Sequence, residues 1–136
     1  MNYIFLDCDG VINRKSDWNK SFYFSPELVK RIAKLSLQTR SEIILASTWR
    51  NGGIPDDLQA EFNKDGANIC DVTPLLKGRN RTKEIERYLY FNQCDKYVIL
   101  DDDKSLYDSS TKNLYLINAD TGITDLDIRT IQKRYF

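Results

Sequence analysis

The sequence predicts an α/β sandwich built on a mostly parallel central sheet, because short apolar runs of strand length alternate along the chain with segments of helical periodicity. The runs are near-continuous in their apolar character, which is the pattern of strands buried on both faces. At 136 residues the chain has the length of one domain with a genuine core, spanning 1–136, and lacks the length for a substantial second lobe.

The first strand is predicted at Tyr3 to Leu6, followed by a polar and aromatic stretch over 12–24 that reads as a flap or hairpin above the strand's C-terminal end. Ser25-Pro26 is an N-cap with a first-turn proline, and Leu28, Ile32 and Leu35 recur behind it at helical spacing. The second strand covers Ile43 to Ala46. Leu58 and Phe62 mark a short helix after Pro55, and Ile69 to Val72 is a weaker, interrupted strand. Ile85, Tyr88 and Leu89 mark a helix after Thr82, ahead of strands at Tyr97 to Leu100 and Leu114 to Ile117. Thr124 with Asp127 resembles a capping box opening a last helix with Ile128, Ile131 and Tyr135.

Composition removes several classes of function. Twenty basic and twenty acidic residues balance to a formal net charge of zero, which argues against a global basic footprint for nucleic acid. There is no histidine, which excludes Ser/His and Cys/His nucleophile systems and the usual zinc constellations; acid–base work falls to carboxylates, lysine, tyrosine or water. Cys8, Cys70 and Cys94 are odd in number and widely spaced, as expected of reduced thiols. No apolar run has the length to span a bilayer, so no membrane partner is expected, and the chain opens on a strand without a signal segment; the expected location is the cytoplasm.

Three predicted strands end in reactive side chains: Asp7 and Asp9 after the first, Ser47 and Thr48 after the second, and Asp101, Asp102 and Asp103 after the run that begins at Tyr97. In an extended strand Asp7 and Asp9 point to one side and Cys8 to the other. Acids that close raise one another's proton affinity, unless a cation lies between them or one keeps its proton. Gly10 lets the backbone turn sharply and approach a ligand. In a parallel sheet the C-terminal strand ends share one edge, where open α/β folds bind ligands, so the three groups are expected to converge. Clustered aspartates with hydroxyls form a hard oxygen donor set suited to Mg2+.

The run Asp7-Cys8-Asp9-Gly10-Val11 resembles the DxDG[TV] signature of the haloacid dehalogenase (HAD) superfamily. Residues 43–48 resemble its second motif, an apolar strand ending in Ser or Thr, and residues 98–102 its fourth, an apolar strand ending in paired Asp. The segments Ala46-Ser47-Thr48-Trp49-Arg50 and Val98-Ile99-Leu100-Asp101-Asp102 are further similar to small HAD domains of RNA repair proteins. The resemblance implies a Rossmann-like core and a Mg2+-dependent phosphomonoester hydrolase. It makes Asp7 the nucleophile and Asp9 the group that protonates the leaving oxygen and later deprotonates water. It assigns the metal to Asp7, the Asp9 carbonyl and Asp102, with Asp101 as alternative or supporting ligand, and the phosphoryl contacts to Ser47. It also calls for one cation near the nucleophile. Lys77, Arg79, Arg81 and Lys83 all precede or open the third helix; Lys83 is favoured for its place at the helix start, with Arg81 next. Gly10, Thr48 and Arg50 complete the expected substrate contacts.

The plainer reading of Asp7 and Asp9 is a solvated strand end in a turn, and three reactive strand ends in the expected order outweigh it. Ser47 and Thr48 could instead cap a helix, and Asp103 reads as solvent-facing or a cap. Cys8 and Arg14 have the spacing of cysteine-dependent phosphatases, yet flanking acids oppose ionisation of Cys8, so a small buried residue is the better reading. Trp18, Phe22, Tyr23 and Phe24 with Arg14, Lys15 and Lys20 could form a stacking surface for a base, although such aromatics more often close the core beneath a loop. About forty residues separate Asp7 from Ser47 and one helix occupies part of them, which leaves space for a flap and no inserted cap domain. An open site suits bulky substrates, and the expectation is a nucleotide or polynucleotide end. Phosphotransfer, a phosphoprotein substrate and a catalytically idle Mg2+/phosphate-binding module are the competing readings.

Overall fold

A computed structural model describes all 136 residues. Five strands, β1 (Asn2–Leu6), β2 (Ser41–Leu45), β3 (Ile69–Val72), β4 (Lys96–Asp101) and β5 (Leu114–Leu116), form one sheet in the order β3-β2-β1-β4-β5. Every pairing is parallel. Three helices connect successive strands, α1 (Pro26–Thr39), α2 (Asp56–Lys64) and α3 (Arg81–Phe91), and a fourth, α4 (Asp125–Tyr135), follows β5. The expected three-layer, Rossmann-like sandwich is therefore present, with no cap inserted between β1 and β2.

The continuous apolar runs are buried on both sides. Ile4, Leu6, Ile43, Leu45, Val98 and Leu100 face a large core closed by Leu28, Ile32 and Leu35 of α1, Leu58 and Phe62 of α2, and Ile128 and Ile131 of α4. The alternate residues Tyr3, Phe5, Ile44 and Ile99 face a smaller core closed by α3 through Ile85 and Tyr88. There Tyr3, Phe5, Tyr88 and Tyr97 meet edge to face at centroid separations of 5.6–5.9 Å. The layers are unequal: three helices cover one face and one covers the other.

Local signals explain the helix ends. The Thr124–Asp127 capping box is formed in both directions, with Asp127 N donating to Thr124 Oγ1 at 3.1 Å and Thr124 N to Asp127 Oδ2 at 2.9 Å. Pro26 occupies the first turn of α1 as expected, but the Ser25 side chain makes no capping bond. Helix α3 starts earlier than the apolar periodicity suggests, because Asn80 caps it by accepting from Lys83 N at 3.1 Å and so puts Arg81 in the first turn. Residues 12–24 form no hairpin. A 3-10 turn at Lys15–Asp17 interrupts a loop that is pinned by Ser25 N on Ile12 O and Lys15 N on Ala119 O, both at 2.8 Å. No helix is long and apolar enough to cross a membrane.

Candidate active site

In this strand order the chain reverses direction across the sheet at β1 and β4, and the C-terminal ends of these two strands flank the crevice that such a switch opens. Asp7 follows β1 directly, its N–H donating to Leu100 O of β4 at 3.0 Å, while Asp101 is the last residue of β4. Both are buried, and Asp102 is half-buried beside them. Carboxylate oxygens of Asp7, Asp101 and Asp102 lie within 4.8 Å of one another. They border a cavity of about 560 Å³ together with Asp9, Thr48, Trp49 and Arg81.

Arg81 is the cation of this corner. Its Nη1 donates to Asp7 Oδ1 at 2.9 Å and to Asp101 Oδ2 at 2.6 Å, and its side chain is 9% exposed. Burial disfavours the guanidinium charge, but Asp7 and Asp101 outweigh that and raise its pKa further. Lys83 lies two residues further along the helix, a rotation of about 200°. It is exposed and borders a separate surface depression with Tyr90 and Phe91. The favoured lysine is thus turned away from the acids by the helix phase, and the second candidate occupies the place. Lys77 and Arg79 are exposed on the preceding loop.

Three carboxylates with one guanidinium leave the corner short of positive charge. Burial first, then the Asp101 charge, holds the Asp7 carboxyl well above the usual range, while Arg81 pulls it back. Asp102 is pushed up to about 6 by burial and by its hydrogen bond with Asp101. An all-oxygen, over-acidic pocket is the donor chemistry of Mg2+, so the residues fit that ion. Asp101 is the most committed of the three: Oδ2 also accepts from Tyr107 OH at 2.6 Å, and Oδ1 from Asp103 N at 3.1 Å. It is engaged with Arg81 and Tyr107, whereas Asp102 is half-buried beside it.

Gly10 secures this arrangement. Its φ is +83°, and a Cβ there would lie 2.5 Å from Asp102 Cγ and Oδ2. Gly10→Ala is expected to destabilise the fold by about 1–3 kcal/mol through the left-handed backbone alone, with the clash adding to it; urea denaturation monitored by circular dichroism measures the loss.

Asp9 is exposed on the cavity side and held from two directions. Asn13 Nδ2 donates to Asp9 Oδ1 at 3.0 Å and Trp49 Nε1 to Asp9 Oδ2 at 3.2 Å. The buried Asn13 amide also donates to Tyr23 O, while its Oδ1 accepts from Gly10 N and Trp18 Nε1. Asn13 and Tyr107 were not singled out in the sequence. A lone amide following Val11-Ile12 was a usable signal, since a buried amide needs partners; Tyr107, in a loop beyond β4, carried none.

The hydroxyl pair divides differently from expectation. Ser47 is buried and its Oγ accepts from Trp49 N at 3.2 Å, capping a 3-10 turn at Thr48–Gly52, whereas Thr48 is exposed and borders the cavity. Arg50 points inward, a correction to its expected contact with substrate. Its guanidinium donates to Ser47 O, Thr73 O and Glu84 Oε1 and makes a long contact with Pro74 O. Asp103 caps the 3-10 turn at Lys104–Leu106 as expected. Cys8 is fully buried in the larger core, and burial with the Asp7 charge pushes its thiol pKa well up. It is not a nucleophile. Arg14 faces Glu27 at 3.7 Å.

Neither the curated proteins nor the solved structures include a match to this sequence. Residues 3–128 match the family described as the HAD domain in Swiss Army Knife RNA repair proteins. With the parallel sheet and the strand-end acids in place, the chain belongs to this family of small HAD domains.

Proposed function

We propose that the chain is a Mg2+-dependent phosphomonoester hydrolase acting through an aspartyl-phosphate, on a nucleotide or polynucleotide end. The observation that carries this reading is the Asp7 carboxylate, fixed by Arg81 on an open cavity that Asp9, held by Asn13 and Trp49, also borders. The family description, which names RNA repair, supports a phosphorylated nucleic-acid substrate.

Asp7, Asp102 and the Asp9 carbonyl would hold the ion, with Asp101 behind them. Bound there, Mg2+ neutralises charge that otherwise repels an anionic nucleophile from phosphate. An Asp7 carboxylate oxygen attacks phosphorus, the P–O ester bond breaks, and Asp9 gives its proton to the leaving oxygen. Water then attacks the aspartyl-phosphate, Asp9 takes the proton back, and inorganic phosphate leaves with the Asp7 carboxylate restored. Arg81 fixes the Asp7 carboxylate for attack and offsets charge on the transferring group. Thr48 at the cavity edge is the hydroxyl donor to a phosphoryl oxygen, and Ser47 caps the turn that carries it.

The test uses p-nitrophenyl phosphate with Mg2+. Asp7→Asn is expected to lower turnover by more than about a thousandfold, with folding retained because a buried charge is removed; Cys8→Ser is expected to stay active. Phosphate release unchanged in Asp7→Asn overturns the proposed nucleophile. Binding of Mg2+ and phosphate without any turnover assigns the idle module instead.

A further inference from the structure

We infer that Trp18 and Phe22, backed by the buried Trp49, form a stacking mouth for the nucleobase next to the scissile phosphate, so that the substrate is a nucleoside phosphate rather than a sugar phosphate or phosphoprotein. The inference rests on the phosphatase reading for its phosphate, and on separate residues for its base.

The polar corner and the aromatics border the same cavity, whose volume of about 560 Å³ lies within the range of about 300–1,000 Å³ common to small-molecule sites. Phe22 is 66% exposed and Trp18 is 44% exposed. Core closure therefore does not account for these two, whereas Phe24 of the same loop packs on the core and Trp49, 7% exposed, is part of it and borders the cavity only from within. Phe22 also adopts φ +53°, a left-handed backbone that a bulky residue rarely takes, and strain of this kind clusters at ligand-contacting positions. Its ring meets Trp49 edge to face, 5.5 Å between centroids at 71°. Trp49 in turn bonds Asp9 through its indole N–H. Trp18 is tied through Asn13 to the same carboxylate. The exposed rings are thus connected by hydrogen bonds and ring contact to the group that serves the leaving oxygen, which is the atom bearing the nucleoside.

Flat π-faces in water beside a phosphate site are suited to a base, since stacking is tolerant of base identity and adds to phosphate contacts. Lys20, exposed and bordering the same cavity, supplies a cation for a neighbouring phosphodiester. A phosphoserine peptide or a sugar phosphate presents no aromatic plane to these rings.

The experiment compares kcat/KM for adenosine 5′- and 3′-monophosphate, ribose 5-phosphate, a phosphoserine peptide and end-phosphorylated oligoribonucleotides in the wild type, Phe22→Gly and Phe22→Tyr. Wild type is expected to prefer the better nucleotide over ribose 5-phosphate by tenfold or more. Phe22→Gly is expected to fold at least as well, because glycine accepts the positive φ, yet to lose most of that preference through KM; Phe22→Tyr is expected to restore it. Faster turnover of oligoribonucleotides than of mononucleotides assigns a strand end as the source of the base, and the reverse assigns a free nucleotide. Equal use of ribose 5-phosphate and both nucleotides, or a preference unchanged in Phe22→Gly, overturns the stacking mouth and leaves the phosphatase reading standing. Quenching of tryptophan fluorescence by adenosine monophosphate and not by ribose phosphate, in a chain that releases no phosphate from any ester, keeps the mouth and overturns the phosphatase.

Discussion

Arg81→Ala is expected to lower phosphate release by about a thousandfold and to destabilise the metal-free fold by about 3–5 kcal/mol. One guanidinium nitrogen spans two buried carboxylates, Asp7 and Asp101, so its removal leaves both without their cation. The loss carries a pH signature. Asp7 already sits above the usual carboxylate range through burial and the Asp101 charge, with Arg81 opposing the rise. Without Arg81 the folded-state pKa climbs further, so the folded chain holds the proton more tightly than the unfolded one. Stability then falls as pH rises from the ordinary carboxylate range through the raised value, and is recovered on acidification. Urea denaturation of wild type and Arg81→Ala at pH 4.5 and pH 7.5 measures this: the gap between them is expected to be wider at pH 7.5. Lys83→Ala, on the exposed side of α3, is expected to leave both turnover and stability near wild type. A large loss of turnover in Lys83→Ala with little in Arg81→Ala would reverse the assignment.

Arg50→Ala is the second large expected effect, again about 3–5 kcal/mol of stability, this time through architecture. Arg50 and Glu84 are 2% and 3% exposed and pair at 2.7 Å. Arg50 also donates to Ser47 O at 2.5 Å and Thr73 O at 3.0 Å, while Glu84 Oε2 accepts from Leu76 N at 2.9 Å. The pair joins the turn after β2, the loop after β3 and helix α3. Burial lowers the Arg50 pKa and Glu84 opposes the fall, so the ion pair keeps the guanidinium charged. Removing it strands a buried carboxylate and three backbone contacts. Arg50→Lys is expected to recover little, because an ammonium lacks the planar fork that serves several acceptors at once. Thermal unfolding followed by circular dichroism ranks the variants, and Arg50→Ala within about 1 kcal/mol of wild type would refute the structural role.

Much of the fold was readable because each cue was local or strictly periodic. Apolar runs gave five strands within about two residues of their observed ends, and the Thr124–Asp127 box gave the start of α4. The acids were readable because a parallel sheet gathers its strand ends on one edge whatever the loops do. Which cation faces them was not, since helix phase turns about 100° per residue and the Asn80 cap moves the start of α3 ahead of Thr82. A shift of that size exchanges Lys83 for Arg81. Arg50 was misread for a related reason: sequence shows a cation after two hydroxyls, but only packing decides whether the following 3-10 turn aims it outward or into Glu84. The polar and aromatic loop over 12–24 reads as a flap or hairpin, yet Asn13 and the 3-10 turn organise it through side-chain bonds that no periodicity announces.

The lopsided layering has an implication for how this protein tolerates change. The helix that stands alone on its side carries both Arg81 and Glu84, so one rigid rod delivers the charge at the nucleophile and the strut beneath the neighbouring loops. Substitutions that tilt this rod alter chemistry and durability together. On the opposite side three helices share the burden, and variation there can be absorbed without reaching the acids. Sequence drift should accordingly be asymmetric across the sheet, sparing the thin side.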